Sequence, residues 1–179
     1  GRHDLATAGA GGPIAFADME WNNDIWAIPF DPALAIPKGD PVRLTAGPSA
    51  QRNRSVSGDG TRLAYMEQRA AATDIFLKNL ETGAVTRVTT TGTAGPPVLA
   101  QDATLLTFTD GLPDSRHILA GPPSGPFRRI GGSGQAVRLY DVSPRARFLV
   151  ARGAPNERAI QLIDVRTAES SVILQRPDA

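Results

Sequence analysis

The sequence predicts an all-β fold of about four repeated four-stranded antiparallel sheets, and two observations predict it. The first is a recurring phrase: Ser-Gly-Asp-Gly at 57–60 precedes an apolar run, then Asp-Ile-Phe-Leu at 74–77 and Arg-Val-Thr at 87–89. The second is composition, with 18 glycines and 15 prolines in 179 residues and no helical period of useful length. Short strands in a repeat of about 40–50 residues are typical of the blades of a β-propeller.

The spacing of the repeat sets the expected blades. The turns that start at Ser57 and Ser143 match each other, and Ala100 starts the corresponding segment midway between them. The interval of about 43 residues is that of one propeller blade. We therefore predict blades at 13–45, 46–90, 91–131 and 132–177, with residues 1–12 irregular or forming the end of a preceding blade. Strand cores are expected near 14–17, 24–29, 62–66, 74–79, 105–109, 117–120, 147–151 and 159–165.

Each blade has the same order of elements. A short first strand leads through a polar turn into an apolar second strand, and a third and a fourth strand follow after Gly, Pro, Asp or Ser turns. In blade two, Asp59 and Gly60 supply a tight turn where φ can be positive. Blade three has Ala103 at the glycine position, and blade four has Arg145 at the aspartate position. Alternate residues of the second strands should pack between neighbouring blades: Ile14, Phe16, Leu63, Tyr65, Leu106, Phe108, Phe148 and Val150.

Blade one departs from the pattern, and we predict that it is incomplete. Its third and fourth strands are separated by an insertion at 30–40, which we interpret as a protruding loop because Pro32 and Pro37 disfavour a helix. Insertions in repeat proteins map to loops on one face, often the binding face. This loop and the turn at 18–24 are therefore the candidate partner contacts, unless the loop only packs against the rest of a larger protein. The candidate residues are Trp21, Asp31, Pro32, Leu34, Ile36 and Pro37.

Composition excludes several classes of function. The chain has no cysteine, so neither disulfides nor cysteine-based metal sites can form. With a net charge of only +1, the chain has no strong positive electrostatic field that would attract nucleic acid. No stretch approaches the roughly 20 apolar residues of a membrane span. We therefore expect no nucleic-acid partner and no membrane insertion, and the compartment stays open.

No catalytic, cofactor-binding or metal site is predicted. The two histidines, His3 and His117, stand apart from each other and from any metal-ligand spacing. The Gly-Gly-Ser-Gly-Gln segment at 131–135 lacks the last glycine of a nucleophile elbow and is interpreted as a link between blades. An acidic group at 18–24 could supply oxygen ligands to calcium, although an ordinary charged turn is the favoured interpretation.

The longer phrases identify a family resemblance. The segments at 24–32, 39–45, 57–65 and 74–83 look like the TolB-type, WD-like propeller repeat, with its Ser-Pro-Asp-Gly turn, Asp-Ile-aromatic strand and Arg-Leu-Thr ending. The resemblance covers 13–175 and is looser in blades three and four. The longer sequence motifs are similar to those of the C-terminal propellers of bacterial Ser/Thr protein kinases and of winged-helix regulators. Prolyl-oligopeptidase-type peptidases have an N-terminal propeller of the same repeat.

The resemblance has functional implications. It implies an open arc of a larger propeller within a multidomain bacterial protein, where the module binds or scaffolds a protein or peptide without catalysis and contacts the remainder of the parent propeller. The alternatives are an extracytoplasmic sensor propeller of a Ser/Thr kinase and the propeller of a peptidase, with the catalytic domain outside this chain. A periplasmic or extracytoplasmic location is implied by the resemblance only.

Overall fold

A computed structural model describes residues 2–6, 15–19, 23–31, 33–131, 138–153 and 156–175. Within these ranges the regular elements are β-strands, apart from one 3-10 turn at Pro113–Ser115, so the predicted all-β class is confirmed. No helix in the described part of the chain is long and apolar enough to cross a membrane. The chain divides into two compact units, Gly1–Gln51 and Arg52–Ala179, called unit 1 and unit 2 below.

Unit 1 consists of short antiparallel ladders. The strands are β1 (Arg2–Ala6), β2 (Ala15–Met19), β3 (Trp26–Ala27), β4 (Phe30–Asp31), β5 (Ile36–Pro37) and β6 (Val42–Arg43). They pair as β1 with β2, β3 with β6 and β4 with β5. The described ladders of residues 2–43 are each two-stranded, and Ala50 and Gln51 at the end of unit 1 begin a strand of blade two.

The strand β1 was not expected, because residues 1–12 were predicted to be irregular or to end a preceding blade. Arg2 pairs with Met19 and Ala6 with Ala15 in a regular antiparallel register. Gly9, Gly11 and Gly12 all follow Ala6, so they do not weaken this ladder. The strand expected at 24–29 is shorter than predicted, since β3 ends before Pro29, which has no N–H for a ladder.

Unit 2 contains three four-stranded antiparallel sheets in simple up-and-down order. Blade two is formed by β7 (Ala50–Val56), β8 (Arg62–Arg69), β9 (Ala72–Asn79) and β10 (Val85–Arg87). Blade three is formed by β11 (Val98–Leu99), β12 (Leu106–Asp110), β13 (His117–Gly121) and β14 (Arg128–Gly131). Blade four is formed by β15 (Arg138–Val142), β16 (Phe148–Gly153), β17 (Asn156–Asp164) and β18 (Ser170–Gln175).

The turn between the first two strands of each blade keeps one geometry although its sequence changes. Gly60 has a φ of 71°, and Ala103 and Ala146 take its place in blades three and four with φ values of 56° and 54°. Asp59 and Asp102 accept hydrogen bonds from the backbone N–H groups two residues later, at 2.9 and 3.0 Å. The local side-chain hydrogen bonds compensate for the steric cost of a positive φ at alanine.

The core of unit 2 consists of two apolar clusters between successive blades. The cluster of blades two and three contains Ala64, Ile75, Ala94, Leu99, Leu106 and Phe108. The cluster of blades three and four contains Ala100, Ile118, Ala120, Ile130, Val142, Leu149, Ala151, Ile163 and Val165. Blade three therefore packs on both of its faces, and this double packing makes the three sheets one unit.

The predicted core positions are correct in blades two and three and wrong in blade four. Leu63, Tyr65, Leu106 and Phe108 are buried. In blade four the buried residues are Leu149 and Ala151, whereas Phe148 and Val150 are only half-buried. Successive side chains of a strand point to opposite faces, and only one face of blade four packs against blade three. Ile14 and the side chain of Phe16 lie outside the described residues.

The last strand of blade four leaves apolar side chains exposed. Val172, Ile173 and Leu174 of β18 are each more than half exposed. This agrees with the expectation that the flank of the last blade presents apolar residues to solvent.

Candidate functional site

The insertion at 30–40 forms a small β-hairpin rather than the irregular loop that was predicted. Its strands are β4 and β5, and Phe30 pairs with Pro37 while Asp31 pairs with Ile36. Ala35 has a φ of 55° in the connecting turn. Pro37 is compatible with a strand because this ladder is an edge. Of the six candidate contact residues, Trp21 and Pro32 lie outside the described residues.

Asp31 fastens the hairpin. One carboxylate oxygen accepts the N–H groups of Ala33 and Leu34 at 2.9 and 3.3 Å, and the other lies 2.7 Å from the Lys38 ammonium group. The hydrogen bond from Lys38, together with those backbone N–H groups, lowers the pKa of Asp31. The role of Asp31 is therefore to hold the turn.

The hairpin presents large apolar side chains to solvent. Leu34 is 66% exposed and Ile36 is 49% exposed, and Pro37 is exposed as well. Three more exposed apolar residues belong to unit 1: Trp26, Ile28 and Val42. Exposed apolar groups of this size, held in a fixed backbone, are typical of protein contact sites.

The Asp, Arg and Thr residues of the repeat form a structural network. In blade two, Asp74 accepts hydrogen bonds from Arg87 at 2.6 Å and from the Thr89 hydroxyl at 2.8 Å, and Thr89 accepts the Ile75 N–H at 3.0 Å. In blade one, Asp24 pairs with Arg43, and the Thr45 hydroxyl accepts the Ile25 N–H at 2.8 Å. In these two blades the network ties the start of the third strand to the fourth strand and to the threonine that follows it.

This network also bears on the calcium alternative. The Asp24 carboxylate is paired with Arg43, and Glu20 lies outside the described residues. No group of three or more potential metal ligands occurs in the described ranges. The side chain of Asp18 also lies outside the described residues, so the charged turn at 18–24 stays a prediction from the sequence.

Asp74 makes the stability of the protein sensitive to acid. Its burial opposes ionisation, but hydrogen bonds from Arg87, Thr89 and the Gly92 N–H outweigh burial and lower its pKa below the ordinary value of 3.8. The unfolded chain therefore takes up a proton at higher pH than the folded chain. The contribution of Asp74 is complete above pH 3.8 and is lost as the pH falls through 3.8 towards the folded-state pKa.

We expect Asp74→Asn to make the free energy of unfolding depend less steeply on pH in the acid range. At neutral pH the free energy of unfolding of the variant should be lower by about 2 kcal/mol, because Arg87 keeps only a neutral hydrogen-bond partner. The difference from the unsubstituted protein should shrink as the pH falls below about 4. Urea unfolding at several pH values between neutral and acid measures this, and a difference that stays constant with pH would contradict the assignment.

A second concave site lies in unit 2, and sequence reasoning did not find it. It is a cavity of about 560 Å³ lined by Asn53, Pro96, Thr109, Arg116, Arg138, Leu139 and Tyr140. We call it the arginine cavity. Its residues come from three blades, and Asn53, Pro96 and Leu139 stand 43 residues apart, at one repeat position in successive blades. The available signal was that Arg116 and Arg138 fall outside the repeated phrases.

Comparisons with known proteins identify the fold. No family model matches the chain, and no curated protein matches it. Solved structures do match: TolB from Acinetobacter baumannii has a TM-score of 0.65 at 17% identity, over 75% of this chain and 34% of that one. A putative TolB from Agrobacterium tumefaciens has a TM-score of 0.60 at 21% identity, over 78% of this chain and 55% of that one.

The fold is that of a β-propeller. The propeller domain of the Trilobed protease from Pyrococcus furiosus also matches, with a TM-score of 0.59 at 16% identity, over 72% of this chain and 43% of that one. This propeller chain spans a third to just over a half of the length of these three structures, so it is a partial propeller. The repeat predicted a TolB-type propeller, and these matches confirm that fold. Because the sequence identities are low, the matches show the fold alone, and the activity has to be argued from the sites.

Proposed function

We propose that this partial propeller is a non-catalytic module that binds a protein or peptide partner through the hairpin of unit 1. The observation behind the proposal is the exposure of Leu34 and Ile36 on a turn that Asp31 and Lys38 hold in place. A rigid turn loses little conformational entropy on binding, so its apolar side chains contribute more of their burial energy to affinity. The occupant that fits is an apolar segment of a partner protein.

A second candidate function comes from the comparisons. The solved structures that match this chain include a prolyl endopeptidase and an acylaminoacyl peptidase from Pyrococcus horikoshii. A propeller that accompanies a peptidase domain outside this chain is therefore the alternative. The sensor propeller of a Ser/Thr kinase stays a proposal from the sequence resemblance.

Removing the apolar tip of the hairpin should abolish partner binding. A photo-crosslinking residue placed at Ala33, next to the tip, in the parent protein should capture one specific partner. The double variant Leu34→Ser and Ile36→Ser should lower its yield by about tenfold or more, since two buried aliphatic side chains are worth about 3 kcal/mol. Trp21→Ala tests the neighbouring turn in the same assay.

A matched control variant shows whether a lower crosslinked yield reflects lost binding by the hairpin or only the removal of exposed apolar surface. Leu112→Ser removes an apolar side chain of similar exposure from unit 2, and the crosslinked yield should not change. Unchanged yield from the hairpin variant would remove the hairpin as the binding site. Peptide hydrolysis by the purified chain would refute the non-catalytic assignment.

A further inference from the structure

The arginine cavity has the chemistry of an anion site. We propose that it binds a carboxylate, from a small organic acid or from an acidic residue of a peptide. This inference does not depend on the hairpin of unit 1, because every lining residue belongs to unit 2.

Three blades build the walls of the cavity. Asn53 comes from β7 of blade two, and Arg138, Leu139 and Tyr140 come from β15 of blade four. The remaining lining residues belong to the segment that forms blade three: Pro96, Thr109 and Arg116. Both β7 and β15 are edge strands of their sheets, so their side chains are available to a ligand rather than to a fifth strand.

The positive charge of the cavity is not balanced by the residues that line it. Arg116 and Arg138 are the charged lining residues, and the lining includes no carboxylate. The Arg116 Nε is buried and has no hydrogen-bond partner among the described residues. A buried donor left without a partner costs about 1–3 kcal/mol, and an anion in the cavity would remove that cost.

A third guanidinium group reinforces the field. Arg152 stands directly opposite Arg138 in the β15–β16 ladder, and its Nε is also buried without a partner in the described part of the chain. Like charges on opposite strands repel each other. A bound anion converts this repulsion into attraction.

Nearby carboxylates are engaged elsewhere or lie outside the lining. Asp110 accepts the hydroxyls of Thr91 and Thr93 at 2.9 and 2.6 Å. Asp141 accepts the Val142 N–H at 2.8 Å. Asp114 precedes Arg116 by two residues and does not line the cavity. None of these three carboxylates lines the cavity.

The backbone at the cavity is irregular on two sides. Asn53 has a φ of 52° within β7, a left-handed conformation that asparagine tolerates better than most residues. The β15–β16 ladder shifts register between Leu139 and Asp141, so Tyr140 has no partner opposite. Bulges of this kind re-aim side chains near binding sites, and here both irregular residues line the cavity.

The remaining lining favours a carboxylate on an organic body. Guanidinium groups bind carboxylates through paired N–H donors. The Asn53 amide can both donate to and accept from a peptide group, while Pro96, Leu139 and the Tyr140 ring supply apolar surface. A volume of about 560 Å³ lies within the usual range for small-ligand sites. Inorganic phosphate would use the arginines but none of the apolar wall.

Titration of the full chain with defined probes tests the proposal. Isothermal calorimetry at low salt would compare succinate, an amide-capped Gly-Glu repeat peptide and inorganic phosphate. We expect both carboxylate probes to bind and phosphate to bind more weakly. Stronger binding of the peptide identifies an acidic peptide as the source, and equal or stronger binding of succinate identifies a small organic acid.

Charge-matched variants locate the site. Arg116→Gln and Arg138→Gln should each weaken carboxylate binding by about 10- to 100-fold, as expected for the loss of a charged hydrogen bond. Arg145→Gln removes the same charge from an exposed turn of blade four and should change binding by less than about twofold. Arg138 is itself exposed, so its replacement keeps the test usable if Arg116→Gln unfolds.

Three results would overturn the proposal. They are no heat with either carboxylate probe, tighter binding of phosphate than of both carboxylates, and equal weakening by Arg145→Gln. The hairpin variant Leu34→Ser and Ile36→Ser should bind carboxylate normally, so failure of the hairpin proposal and failure of this one are distinguishable.

Discussion

Phe108→Ala is expected to lower the free energy of unfolding by about 3–5 kcal/mol, as large-to-small changes of buried aromatic residues do. Phe108 is 1% exposed and belongs to the cluster between blades two and three. Its ring meets that of Phe127 edge to face, with centroids 4.9 Å apart. Truncation leaves a cavity between two rigid sheets, which cannot collapse without breaking their ladders.

The control for this prediction is Phe148→Ala. Phe148 belongs to the second strand of blade four and was predicted to be a core residue, but it is half-buried and lies under the Arg147 guanidinium group at 4.7 Å. Loss of the Phe148 ring should lower the free energy of unfolding by about 1–2 kcal/mol, because the ring is partly buried and makes one cation–π contact. Urea unfolding of both variants of the full chain measures the difference. Equal losses would show that Phe148 is a core residue, as the repeat alone predicted.

Gly121→Ala should destabilise unit 2 by about 3 kcal/mol, at the upper end of the usual cost of overpacking. A Cβ at Gly121 would lie 2.3 Å from the carbonyl oxygen of Pro126 and 3.1 Å from the Cα of Phe127. Both atoms belong to the backbone, so no rotamer change can make room. Because Phe127 packs against Phe108, a backbone shift there would also disturb the cluster between blades two and three.

Gly131→Ala is the matched control in the neighbouring strand of the same sheet. A Cβ there would meet the nearest atom, Ile163 Cδ1, at 3.5 Å, which is an ordinary van der Waals distance. The change should cost less than about 1 kcal/mol, in the range of a surface substitution. Thermal unfolding monitored by circular dichroism would rank the two variants. A Gly121→Ala protein as stable as Gly131→Ala would contradict the packing described for this turn.

Local sequence determined the strands and turns of unit 2. The ranges 46–90, 91–131 and 132–177, expected from the repeat, each contain one of the observed sheets. Turn residues act over three or four positions, and hydrophobic alternation acts along one strand. For that reason a 179-residue chain with no family match still reveals the class of its fold.

Tertiary structure decided what depends on neighbours distant in sequence. Leu149 rather than Phe148 is buried because its face of blade four meets blade three. The 43-residue interval from Leu106 to Leu149 agrees with this face, whereas aligning the apolar runs one residue earlier selects the opposite face. The hairpin at 30–37 forms through the pairing of Phe30 with Pro37, which the sequence pattern did not predict. The arginine cavity exists because stacking brings residues of three blades together. The 43-residue interval relates Asn53, Pro96 and Leu139, but it does not include Arg116.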